Sequence, residues 1–216
     1  MSARMETFGS REEWLKARTR IGGSEISSVI GISPWMSNVE LWELKTGRRK
    51  HKEDSGNAFT KYGSKAEEHI RELFALDFPE YEVFYEPNNL WTNSRYPFAG
   101  SSLDGWLKDK KGRFGVLEIK TALISNSRAA DKWKGRIPDY YFAQLIWSMT
   151  VTEADFGILV AQLKYEREDD MYKIIRHYRT EMKGNEGSRD YLLEEAMRFW
   201  RCVEEDKAPA LKLPEL

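Results

Sequence analysis

Three residues in the stretch SSLDGWLKDKKGRFGVLEIKT, residues 101–121, have the types and spacing of a metal-holding centre: Asp104, Glu118 and Lys120. The stretch reads as a β-hairpin with a polar tip at 109–113. Residues two apart on a strand share a face, so Glu118 and Lys120 point one way and Leu117, Ile119 and Thr121 the other. A hairpin centred on Lys111 sets Asp104 opposite Glu118, about 5 Å apart at Cβ. Two carboxylates that close repel unless a cation lies between them, and hard oxygen ligands suit Mg²⁺, with Mn²⁺ the alternative. A cross-strand charge cluster on a solvated face is the competing account. Against it stands the second arm, which is too apolar for a free edge.

Further candidates lie on the elements around this hairpin. The periodicity of Ala66, Ile70, Leu73 and Phe74 predicts a helix over 59–74, with Glu67 at the edge of its inward stripe. A carboxylate there is ordinarily solvated. Phe59, near its start, is either a packed aromatic or a wedge for an end base pair. The segment DYYFAQLIWSMTV predicts an apolar helix over 139–151 with Tyr141, Gln144, Leu145 and Ser148 on one face. Gln144 is either bonded within the core or aimed at the carboxylates. In RTRIGGSEISSVIGISPW, Gly22 and Gly23 precede a short predicted helix, 24–30, capped by Ser24. Its free N–H groups, with Arg18 and Arg20 upstream, could cradle a phosphate; an ordinary capped helix is the alternative.

The remaining pattern fills in the scaffold. Ser10 with Glu13 and Ser37 with Glu40 are capping boxes, the first opening a helix that turns Trp14 and Leu15 inward. Residues 48–57 read as an exposed loop. Strands are predicted at 82–86, 90–93, 98–107, 115–121, 156–162 and 171–179, a helical stretch at 128–133 and a closing helix at 188–205. The 216 residues, 41% hydrophobic and 13% aromatic, fit one domain, 1–216, with N-terminal helices at about 10–47, a core at 58–163 and a C-terminal part at 164–205. No apolar run is long enough for a membrane span, and MSARMETFGSREEW is not a signal peptide. One cysteine, Cys202, excludes an internal disulfide or a Cys-based zinc site and fits a reducing cytoplasm. Net charge is −1, so any nucleic-acid surface is local, with Lys45 to Lys52 and Lys108 to Arg113 as basic clusters.

Four blocks in order, RTRIGGSEISSVIGISPW with ELWELKTG, YGSKAEEHIRELF, SSLDG with LEIKT, and YYFAQLIWSM, resemble the phage lambda exonuclease and YqaJ-type viral recombinase nucleases, of the PD-(D/E)xK superfamily. The resemblance spans 14–163. It implies an α/β (α+β) nuclease-like core, a central mixed β-sheet flanked by helices. It also implies a metal-dependent 5′→3′ double-strand DNA exonuclease that leaves 3′ single-stranded tails for recombination by single-strand annealing. The implied roles are metal ligation by Asp104, Glu118, the Ile119 carbonyl and Glu67, with one or two ions. Lys120 activates water, Gln144 supports water or scissile phosphate, and Arg18 and Ser24 hold a 5′-phosphate. Arg20 is the alternative holder, because the spacing from Arg18 to Ser24 is one residue short of lambda exonuclease. Leu103 stands where the motif has proline, a position that shapes the turn. A ring-shaped homotrimer on double-stranded DNA ends, an annealing-protein partner and a phage or prophage gene in a bacterial host are implied as well. An endonuclease or repair nuclease on the same core, or a DNA-binding module without catalysis, are the alternatives.

Overall fold

The computed structural model describes residues 2–50, 58–167 and 170–213. Part of the predicted 48–57 loop, and the side chain of Phe59, lie outside the described residues. In chain order the elements are β1 (Ala3–Thr7), α1 (Arg11–Ala17), a 3₁₀ turn (Gly23–Glu25), α2 (Ile26–Val29), α3 (Asn38–Lys45) and α4 (Ala58–Asp77). Then come β2 (Tyr81–Phe84), β3 (Asn89–Asn93), β4 (Tyr96–Ser101), β5 (Gly105–Asp109) and β6 (Phe114–Ile124). The chain continues through α5 (Ser127–Asp131), α6 (Asp139–Thr152), β7 (Phe156–Arg167), β8 (Asp170–Glu181) and α7 (Glu186–Glu204).

The central sheet runs β2-β5-β6-β7-β8. Only β6 and β7 pair in parallel, and the connection between them carries α5 and α6. β6 therefore lies inside the sheet, which explains its apolar run: Val116, Leu117, Glu118 and Ile119 are all buried. The predicted hairpin register holds, since Gly105 pairs with Leu117 and Trp106 with Val116. Alternation then sorts the side chains. Leu117 and Ile119 pack with Ala66, Ile70 and Phe74 of α4. Val116 packs with Leu145, Ile146 and Met149 of α6 in a second cluster, so Glu118 and Lys120 share the α6 face.

The predicted strand over 98–107 is two strands in two sheets. β4 belongs to a three-stranded sheet, β1-β3-β4, whose first member has no clear sequence signal. The chain leaves that sheet at Ser101 and joins the central one at Gly105, so Asp104 sits on the crossing. Two inward assignments fail. Leu15 is 49% exposed because α1 buries none of its residues, and Leu73 is 40% exposed because α4 covers the core with a narrower stripe than periodicity implies. α6 is apolar all round because it touches β3, β4, β6, β7 and α7.

Candidate active site

Asp104 is held from three directions. Its Oδ2 accepts from the Ile119 N–H at 2.8 Å, so the carboxylate takes a ladder bond where β5 has not yet begun. Arg71 of α4 donates to its carbonyl at 2.6 Å. Before it, the buried Asn89 clamps Leu103, giving a donor to the Leu103 carbonyl and accepting from its N–H, both at 2.8 Å. A proline at 103 has no N–H for this clamp, which accounts for leucine there. Asn89 and Arg71 are positioning residues that sequence reasoning missed; their signals were a turn-like PNN and one charge on an amphipathic helix.

Glu118 is 1% exposed. Its Oε1 accepts from Gln144 Nε2 at 2.6 Å and from Lys120 Nζ at 2.6 Å. Its Oε2 is buried with no partner among the described residues. An orphaned carboxylate oxygen in a protein interior is costly. Beside Asp104 it is an anionic position a cation would satisfy. The Ile119 carbonyl leaves the same strand edge as its N–H and so faces Asp104 as well. The donor set is thus all oxygen and fits a hard divalent ion. Gln144 is aimed at the carboxylate rather than bonded within the core.

Glu67 lines the same cleft as Asp104. It does not close a cage, however: among the described residues no three His, Cys, Asp or Glu side chains are gathered tightly enough to enclose an ion. Glu67 stands at the cleft wall and is coupled to the others through its field.

Burial, and then the nearby Asp104 charge, push Glu67 up to about 7. Burial likewise pushes Glu118 up to about 7, opposed by Lys120 and reinforced by Asp104. Burial disfavours the charged form of Lys120, but Glu118 and Asp104 outweigh it and leave the ammonium more firmly protonated than usual. The folded state therefore binds more protons than the unfolded one between about 4.5, the ordinary Glu value, and about 7. In metal-free buffer stability should fall as pH rises through that window. Glu67→Gln should flatten part of the fall, read as the difference in melting temperature from wild type at pH 5 and pH 8. His177, lowered by burial, acts in the opposite sense and cancels in that difference. An identical pH profile for the variant would remove Glu67 from the account.

Arg18, Arg20, Ser24, Glu67, Asp104 and Gln144 line one cleft of about 460 Å³. The fold thus brings together residues far apart in sequence, with Glu118 tied to the cleft through Gln144. Arg18 stacks on Trp14, 4.6 Å from the ring centroid, and Arg20 donates Nε to the Pro97 carbonyl at 2.9 Å. Ser24 is not the cap that the sequence implies. It is exposed within the 3₁₀ turn, and the Gly22 N–H is taken by Glu25 Oε2 at 2.7 Å. The backbone cradle is to that extent already filled, leaving side chains to bind an anion. Gly23 is required by close packing: a Cβ there would lie 3.1 Å from Ser148 Oγ and 3.2 Å from Ser101 Oγ, which bond each other at 2.8 Å. Of the basic clusters, Lys45 is buried on Glu25 and the Arg20 carbonyl. Arg48 pairs with Asp206, Arg49 with Glu40 and Glu43, and Arg113 with Asp109 and Glu181. These are structural pairs.

The mixed sheet flanked by helices recurs in solved exonucleases. The alkaline exonuclease LHK-Exo from Laribacter hongkongensis, in its complex with dAMP, superposes with a TM-score of 0.66 at 20% identity, over 90% of this chain and 93% of that one. A phage-related exonuclease from Haemophilus somnus 129PT superposes at 0.50, with 12% identity over 87% of this chain and 96% of the other. Residues 13–155 match the YqaJ-like viral recombinase domain, and the chain belongs to that family. The YqaJ protein of Bacillus subtilis (strain 168) is 27% identical over 178 residues, 77% of this chain. The chain spans about half the length of that relative, 53%. No helix among the described residues is long and apolar enough to cross a membrane.

Proposed function

We propose that this chain is a metal-dependent 5′→3′ double-strand DNA exonuclease that leaves 3′ single-stranded tails for phage-type recombination by single-strand annealing. One observation carries it: the buried Oε2 of Glu118 has no partner among the described residues, while its Oε1 is bonded to Gln144, which lines the cleft with Asp104, Arg18, Arg20 and Ser24. Asp104, Glu118 and the Ile119 carbonyl hold the ion, Mg²⁺ or Mn²⁺, with Glu67 alongside. When bound, the ion polarises the phosphoryl oxygen and lowers the pKa of an attacking water. Lys120, kept charged by Glu118, stabilises negative charge developing on the phosphoryl group. Gln144 fixes Glu118 Oε1 so that Oε2 is the oxygen presented. Arg18 or Arg20, with the Ser24 hydroxyl, binds the 5′-terminal phosphate and sets the direction of digestion. Support comes from the family, and from a similarly folded exonuclease seen with a mononucleotide. The proposal extends to one nuclease domain over 1–216, a homotrimeric ring on DNA, an annealing-protein partner, and action in a bacterial cytoplasm from a phage or prophage gene.

The test is digestion, with Mg²⁺, of linear duplex labelled at its 5′ ends beside a covalently closed circle. Release of 5′ label from the linear form with the circle intact is expected. Cutting of the circle would make this an endonuclease on the same core. Binding of linear DNA without Mg²⁺-dependent release would make it a DNA-binding module.

A further inference from the structure

A second groove, of about 310 Å³, meets the first along Thr60, Ser64 and Glu67, and Lys120 lines it as well. Its floor is the α4-facing side of the sheet beyond the carboxylates. Thr121 of β6 pairs with Gln162 of β7, and Lys164 of β7 lies directly opposite Lys173 of β8. Tyr62 of α4 forms the wall. Lys164 is only 8% exposed, its ammonium 2.7 Å from the centroid of the Tyr62 ring. Lys173 reaches the same ring at 5.5 Å, and the Tyr62 hydroxyl donates to Gln162 Oε1 at 2.6 Å.

This arrangement is unfavourable as it stands. Like charges directly opposite across a ladder destabilise a sheet, and a buried ammonium requires compensation. Among the described residues neither lysine is paired with a carboxylate, and a ring face offsets only part of the cost. An anion lying over Lys164 and Lys173 would resolve both. α4 comes close here because residue 63 is glycine: a Cβ would sit 3.3 Å from Thr121 Oγ1.

We propose that this groove is a backbone subsite for the strand being digested, with Lys164 and Lys173 holding a phosphodiester on the 3′ side of the scissile bond. The inference rests on the proposed nuclease function and adds the path of the strand beyond the cut. The first cleft takes the 5′ terminus and the second takes the chain that follows. The occupant is the cut strand because Lys120 and Glu67 line the groove, so it opens onto the reacting position.

The test is a binding cycle in EDTA, which needs no turnover. A 5′-phosphorylated duplex is compared with duplexes bearing one neutral methylphosphonate at each of the first four linkages of either strand. Wild type should lose about tenfold in affinity at one linkage of the 5′-ended strand, and Lys164→Met about tenfold on the native duplex. The two losses together should not exceed either alone, and Lys164→Arg should restore the linkage dependence. Lys173→Ala, at an exposed position where folding is not at stake, should lower the salt slope by about one. Losses that multiply, coupling in the complementary strand, or an unchanged salt slope for Lys173→Ala would overturn the subsite. Absence of Mg²⁺-dependent digestion by wild type, with the coupling present, would sink the nuclease function and leave the groove a DNA-binding surface.

Discussion

Asp104→Ala should reduce Mg²⁺-dependent digestion of linear duplex by about a hundredfold or more, because the ion is lost or misplaced. The carboxylate has two functions that the variant removes together. Oδ2 substitutes for a ladder acceptor on the Ile119 N–H, and the group supplies charge opposite the buried Glu118. Asp104→Asn separates them, since the amide oxygen can still accept from Ile119 while the charge is gone. If the charge matters, Asn is as inactive as Ala but melts like wild type. An active Asn variant beside an inactive Ala variant would reduce Asp104 to a structural acceptor. Lys120→Ala should also be inactive, leaving Glu118 buried with only Gln144 as its hydrogen-bond partner. Undiminished digestion by both Asp104→Ala and Lys120→Ala would discard the site.

Trp147→Ala should cost about 3–5 kcal/mol of stability, the range for removing a large aromatic from a core. Trp147 is fully buried in α6, and its Nε1 donates to the Ile21 and Gly100 carbonyls, each at 3.2 Å. Those carbonyls belong to the short bridge where Ile21 lies along β4. The ring therefore holds the segment leading into Gly22–Ser24 against α6 and Gln144. Trp147→Phe keeps most of the apolar burial and loses the donor, so it should cost less, about 1–2 kcal/mol from the lost bonds together with a small volume change. Urea unfolding measures both. The proposed function adds a second readout: the preference for phosphorylated 5′ ends should weaken in any Trp147 variant that folds. A Trp147→Ala protein as stable as wild type would show that the core repacks around the site and that α6 does not locate the turn.

The chemistry was legible in the sequence because it is local. Asp104, Glu118 and Lys120 lie on one hairpin, where a two-residue period and a short tip fix the register, and the Gly105–Leu117 pairing bears that register out. The helices around Glu67 and Gln144 were legible for the same reason, since helical periodicity needs no partner. The sheet crossing was not. A run of alternating residues does not reveal that β4 and β5 belong to different sheets, because each half makes a local ladder with its own neighbour, β4 with β3 and β5 with β6, and alternation alone does not mark the break between them. The same blindness hid Asn89, whose side chain mimics a strand edge for Leu103, and Lys164, which as a sequence letter is one more surface lysine. It also hid the pairing of Lys45, Arg48 and Arg49 within the basic cluster, whose partners include Asp206, 158 residues from Arg48. The sequence by itself determined which groups could hold a metal ion. The tertiary structure decided which oxygen of Glu118 is left without a partner among the described residues, that Glu67 lines the same cleft as Asp104, and that two grooves meet at Glu67. Each of those depends on burial and on contacts between segments far apart along the chain, and neither is encoded in a local pattern.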